Sequence, residues 1–179
     1  MPDKGDILDV GCGHGLLALS LIHNGGADAR RYVGIDHDED KIAIAKDAQF
    51  KNAEFFARDI ADIPSESYDC VAVIEVLYCV PLDQWPEFME NCTRALRKGG
   101  LLVIDAAIPK VRWKRILLRW EEFLAIKVFR ITKGADPQFE SLDTYKAHIE
   151  AAGAKVVEID FLDPWRPHSH CLILARKPE

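Results

Sequence analysis

The sequence predicts an α/β fold, a doubly wound and mostly parallel sheet with helices on both faces. Three observations carry this. Short apolar runs of strand period alternate with stretches of helical period from residue 7 to residue 175. A glycine-rich turn, Gly11-Cys12-Gly13-His14-Gly15, separates the first apolar run from the first helical stretch. The last two runs have no helix between them, so they should pair as an antiparallel hairpin at the end of the sheet.

The elements follow in order. Ile7 to Val10 is a strand that ends in glycines, and Leu16 to His23 has helical spacing. Tyr32 to Ile35 is a strand that stops at Asp36. Asp38 is placed to cap a helix through Phe50, with Glu39 and Asp40 in a first turn where the helix dipole favours them. Ala53 to Ala57 is a third strand. Tyr68 to Val76 is long, apolar and rich in β-branched residues, as a buried parallel strand should be. Leu82 to Leu96 reads as a helix stopped by Lys98-Gly99-Gly100, and Leu101 to Ala107 as the fifth strand. Ser141 opens a helix through Ala152 that Gly153 closes. Lys155 to Leu162 and Ser169 to Ala175 complete the hairpin.

A chain of 179 residues, 49% apolar and 29% charged, fits one domain spanning 1–179 and excludes general disorder. No uncharged apolar stretch reaches membrane-spanning length, and residues 1–6 carry no apolar targeting core. The cysteines Cys12, Cys70, Cys79, Cys92 and Cys171 form no Cys-x-x-Cys pair, so no disulfide framework or metal site is expected, and a cytoplasmic location is. A net charge of −6 argues against nucleic acid as a partner. The charge is uneven. Residues 110–133 hold eight Lys or Arg against Glu121 and Glu122, leaving the remainder at −12. In that segment Trp113, Ile116, Leu117, Trp120, Phe123, Leu124 and Phe129 recur mostly at steps of three and four, giving one apolar face flanked by cations. Three readings stay open for this insertion: a core-packing helix, a lid over a substrate mouth, or a peripheral contact with a membrane surface or acyl chain.

The glycine loop lies where a parallel sheet binds ligands, at its carboxyl edge. Alternate glycines let the backbone turn and approach a ligand closely. The spacing departs from the dinucleotide pattern, whose sixth position here is Leu16, and that disfavours a nicotinamide cofactor and an NAD(P)-dependent reductase. Asp36, at the tip of the second strand, can accept both hydroxyl protons of a ribose; the alternative is a helix cap, a role Asp38 already fills. After the third strand, Asp59 can accept from an exocyclic amine and Ile60 can cover an adenine face, or Asp59 can make an Asx turn.

Asp9-Val10-Gly11-Cys12-Gly13-His14-Gly15, Val33-Gly34-Ile35-Asp36, Arg58-Asp59-Ile60, Tyr68-Asp69-Cys70-Val71, Glu75-Val76-Leu77 and Leu96-Arg97-Lys98-Gly99-Gly100 resemble, in order and spacing, the motifs of the class I S-adenosylmethionine-dependent methyltransferases. The resemblance spans residues 6–176. It implies a seven-stranded sheet of order 3-2-1-4-5-7-6 with strand 7 antiparallel. It also implies S-adenosylmethionine as cofactor, with Gly11, Gly13 and Gly15 along its methionine part, Asp9 near its amino group, Asp36 on the ribose, Asp59 and Ile60 on the adenine and Glu75 beside the sulfonium. Cys12 fills the loop, and His14 and His37 sit at the rim. Two departures from the family pattern stand out. The first strand begins near residue 6, where such enzymes carry covering helices, and Glu75-Val76-Leu77-Tyr78-Cys79 replaces the Glu-Val-Leu-Glu-His common in small-molecule members.

Methyl transfer from a sulfonium needs alignment and exclusion of water more than covalent help, and a base only where the acceptor must lose a proton. Carboxyl-edge candidates for that proton are Tyr78 and His168, with Glu75, Asp105 and the rest of the 163–168 loop nearby. A metal set of His168, His170 and Cys171 lacks a fourth ligand in sequence. The expected function is methyl transfer to an oxygen of an apolar or anionic small molecule, amphipathic or lipid-like acceptors included, by a chain able to form a homodimer. The rival from another class is a catalytically silent, methyltransferase-like subunit that binds cofactor or partner.

Overall fold

The computed structural model describes residues 5–23, 30–108, 140–162 and 170–179. The basic segment 110–133 and His168 lie outside these described residues. The elements are β1 (Gly5–Val10), α1 (Leu16–His23), β2 (Arg30–Asp36), α2 (Glu39–Asp47), β3 (Ala53–Ala57), β4 (Tyr68–Ile74), α3 (Trp85–Ala95), β5 (Leu96–Ala107), α4 (Leu142–Ala151), β6 (Lys155–Leu162) and β7 (His170–Arg176). They build one seven-stranded sheet of order β3-β2-β1-β4-β5-β7-β6, parallel except for β7, which runs against β5 and β6.

Strand alternation sorts the apolar residues onto two faces. One face builds the larger core: Leu8, Val33, Val71, Leu102 and Ile173 meet Trp85 and Met89 of α3 and Tyr145 and Ile149 of α4. The other face builds a smaller core, where Ile7, Tyr32, Cys70 and Val103 meet Ala18 of α1 and Ile42 and Ala45 of α2. The expected caps are in place. Asp38 accepts the Asp40 N–H (3.2 Å), and Ser141 accepts the Thr144 N–H (3.2 Å). Among the described residues no helix is long and apolar enough to cross a membrane.

Several boundaries differ from the sequence reading, and three of the differences have a clear local cause. α2 ends at Asp47 because Gln49 takes a left-handed φ of 49°, which frees Phe50 to pack on Phe55 at 6.0 Å. β4 stops at Ile74 because Glu75 has a φ of 57°, a conformation no extended strand holds. β5 begins at Leu96, five residues early. Leu96 is already extended and pairs with Tyr68, the ladder then shifts register, and pairing resumes at Cys70 with Leu101. Arg97 therefore reaches both Asp6 (2.8 Å) and Asp69 (2.7 Å), tying β1, β4 and β5 together at the amino edge.

Candidate functional site

The loop after β1 is shaped by backbone bonds to the second strand. The N–H groups of Gly11 (2.8 Å) and Cys12 (3.0 Å) both donate to the Ile35 carbonyl. That folds the loop back over the tip of β2 and forces φ at Gly11 to +73° and at Gly13 to +53°. A Cβ at Gly11 would lie 2.5 Å from Cγ2 of Val76, so the approach of loop to the β4 end depends on glycine. Beside Gly13 the space is open.

Asp36 is buried and holds this corner. One carboxylate oxygen accepts the Gly13 N–H (2.9 Å), the other the Asp38 N–H (2.9 Å), and the His37 ring stands 3.7 Å away. Each oxygen keeps a lone pair for a further donor. Asp59 makes the Asx turn that the sequence left open, its Oδ1 accepting the Ala61 N–H (2.8 Å), and its other oxygen stays available.

These groups line a cleft of about 380 Å³ at the carboxyl edge of the sheet. Val10, Gly11, Ile35, Ile60, Val76, Val80 and Phe88 give it an apolar lining, with Asp36 and Asp59 as the acceptors. His37 and Arg58 stand at its rim. The cleft thus brings together Gly11, Asp36, His37, Asp59 and Ile60. Apolar walls for a flat ring, two carboxylates with spare acceptor capacity and an open space beside a glycine backbone suit a nucleoside carrying an amino-acid arm. The donor set fits S-adenosylmethionine.

The remaining expected residues fall elsewhere. Gly15, with φ +81°, faces Phe50 and Phe55 rather than the cleft. Cys12 is buried, and burial followed by the nearby Asp9 carboxylate pushes its thiol up, so it is an inert loop filler. Tyr78 sits half-buried in the short turn after β4 and is not among the cleft-lining residues. Asp9, expected near an amino group, is 3% exposed on the face of the smaller core, and Tyr32 donates its hydroxyl proton to it. The register explains this: Ile7 pairs with Tyr32 and Asp9 with Gly34, so Asp9 and Tyr32 are diagonal neighbours on one face, above a glycine that leaves room.

Burial raises the Asp9 carboxyl to about 7, against the Tyr32 hydrogen bond that lowers it; Asp36 adds a smaller upward push. Because the folded value exceeds the unfolded one, the protein binds more protons folded than unfolded between pH 4 and 7, and stability falls as pH rises through 7. Between pH 5 and pH 8 this costs on the order of 2–3 kcal/mol. Asp9→Asn should lose that part of the slope. Urea unfolding of both proteins at the two pH values measures it, and equal slopes would rule the account out.

The structure also assembles a group that the sequence reading did not. Glu75 follows the end of β4, Asp105 lies on β5 opposite Ile74 and Leu172, and His170 begins β7. The Nδ1 of His170 is 2.8 Å from Glu75 Oε1 and 3.3 Å from Asp105 Oδ1. Hydrogen bonds to Asp105 and then Glu75 push this histidine up to about 10. Its signal in the sequence lay in topology: an antiparallel last strand carries its first residue, not its last, to the carboxyl edge.

Residues 7–100 match the family model described as a methyltransferase domain. The ribosomal protein L11 methyltransferase of Geobacter metallireducens is 42% identical over 107 residues, which cover 58% of this chain and 33% of that protein. The ubiquinone biosynthesis O-methyltransferase of Coxiella burnetii is 32% identical over 101 residues, 54% of this chain and 41% of that protein. The chain thus spans about a third to two-fifths of the length of these curated relatives. A Methanosarcina mazei structure described as a S-adenosylmethionine-dependent methyltransferase superposes with a TM-score of 0.77 at 18% identity, covering 99% of this chain and 94% of that one. The family model covers just over half of the chain, and the strand order is the one such folds share. The chain belongs to the class I S-adenosylmethionine-dependent methyltransferases.

Proposed function

We propose that this chain catalyses S-adenosylmethionine-dependent methyl transfer to an oxygen of a small apolar or anionic molecule. The observation that carries the reading is the cleft in which Asp36, already fixed by the Gly13 and Asp38 N–H groups, faces the Gly11 backbone, with Asp59 and Ile60 beside them. When bound, the cofactor supplies an activated methyl on a sulfonium. Asp36 orients the sugar, Asp59 and Ile60 hold the base, and the backbone of Gly11 and Gly13 lies along the amino-acid arm. Val76, Val80 and Phe88 add apolar lining against which a bound ligand would shed water.

The relatives act on a ribosomal protein in one case and in ubiquinone biosynthesis in the other, so the acceptor class rests on this chain's own residues. The eight Lys or Arg of residues 110–133, interleaved in the sequence with Trp113 and Trp120, support an acceptor that is part apolar and part anionic.

Calorimetric titration with S-adenosylhomocysteine and with NADH tests the cofactor. Saturable binding of the first and none of the second is expected, and the reverse overturns the reading. Turnover of labelled S-adenosylmethionine against hydroxyl, carboxyl and amine acceptors then tests the rest. Cofactor binding with no turnover on any of them would favour a silent subunit.

A further inference from the structure

We propose that Glu75, Asp105 and His170 form a divalent-cation site on the carboxyl edge of the sheet, with coordination positions left open towards the acceptor. This goes beyond methyl transfer, which as a reaction needs no metal. The three side chains come from three adjacent strands, β4, β5 and β7, and offer one imidazole nitrogen and two carboxylate oxygens, all within 4.8 Å of one another. The separations from His170 Nδ1, 2.8 and 3.3 Å, are hydrogen-bond distances that ligands sharing one cation also adopt. A shell with metal–ligand distances of about 2.0–2.2 Å places neighbouring octahedral ligands about 3 Å apart and tetrahedral ones slightly further.

Two carboxylate oxygens and one imidazole nitrogen converge here from three strands, and two carboxylates match the charge of a dication. The side chains are 40%, 14% and 24% exposed for Glu75, Asp105 and His170, so an ion can enter while the ligands are fixed by the sheet. Glu75 reaches the site through a left-handed φ of 57° at the end of β4, a conformation that a non-glycine residue rarely adopts. Cys171 is no ligand: it is fully buried and points, by strand alternation, to the opposite face.

One nitrogen and two oxygens, without thiolate, suit manganese(II), iron(II) or zinc(II) better than calcium or copper(I). Three protein ligands leave room for water or for acceptor oxygens, the arrangement of a catalytic rather than a structural site. Glu75 immediately precedes Val76, which lines the cofactor cleft, so those open positions adjoin the place where the methyl is delivered. A hydroxyl or carboxylate held there would be both positioned and made more acidic by the ion.

The test uses the full chain freed of metal by chelator and dialysis. Manganese(II) is titrated and followed by electron paramagnetic resonance, with zinc(II) titrated by calorimetry. One saturable site per chain is expected, and spin-echo modulation of bound manganese should report an imidazole nitrogen. His170→Ala and Asp105→Asn should each weaken manganese binding at least ~10-fold, and Asp160→Asn, an exposed acid on β6, should leave it unchanged. Circular dichroism confirms that each variant is folded, and the nitrogen signal reads ligation in the unaltered chain should a variant fail to fold. Absence of saturable binding, binding without the nitrogen signal, or binding undiminished in both folded variants overturns the proposal. S-adenosylhomocysteine titration is run in parallel without metal, so failure of the cofactor reading and failure of the cation site are seen separately.

Discussion

Asp36→Ala lowers the affinity for S-adenosylhomocysteine by ~100-fold, about 3 kcal/mol. Two losses combine. The variant removes the acceptor proposed to hold the sugar hydroxyls, where a hydrogen bond to a charged group contributes about 1.5–3 kcal/mol. It also strips the Gly13 and Asp38 N–H groups of their shared partner, so the loop must be ordered again on binding. Asp36→Asn separates the two. Its single amide oxygen can still accept one of the N–H groups but not both, and a loss of ~10-fold is expected. The measurement is calorimetry at constant salt, with the unfolding midpoint taken alongside. Affinity within twofold of the unaltered chain for Asp36→Ala would show that the cleft binds its ligand elsewhere.

The second large effect is on stability. Trp85→Ala should cost about 3–5 kcal/mol, read from the midpoint of urea unfolding at constant slope. Trp85 is fully buried at the start of α3, its ring lies 4.8 Å from Tyr145 and 5.6 Å from His148 of α4, and its indole N–H donates to the Val80 carbonyl (3.0 Å). One side chain therefore joins α3, α4 and the wall of the cleft. Truncation leaves a large void and removes the hydrogen bond to Val80, and the void does not collapse easily between two helices pinned to the same sheet. A loss below 1 kcal/mol would mean that the two helices repack, and that α4 is held by other contacts.

Much of this architecture was readable before any coordinates. Short apolar runs marked all seven strands, and the run is nearly continuous in β4, which is buried on both faces. Asp38, Ser141 and Gly153 marked helix ends because each supplies a group or a conformation the backbone lacks there. What escaped depended on register. That Tyr32 falls beside Asp9 cannot be read until Ile7 is seen opposite Tyr32. Glu75, Asp105 and His170 are far apart in the chain, and their meeting follows from the order β4-β5-β7 and the pairing of Ala107 with His170. Local propensity sees neither, because cross-strand neighbours are set by tertiary pairing. The early start of β5 was hidden for the opposite reason. Lys98-Gly99-Gly100 is a strong local stop signal, and the sheet absorbs it as a register shift.

The reversed direction of β7 has a practical side. Arg176 pairs with Leu101, and Lys177 exchanges hydrogen bonds with Gly99 and Gly100, so the polypeptide leaves the sheet at the rim opposite the cleft. An affinity handle, fluorophore or surface tether fused after Glu179 would hang from the underside of the molecule. Immobilised that way, the protein would present its mouth to solution, ready for capture screens against acceptor libraries.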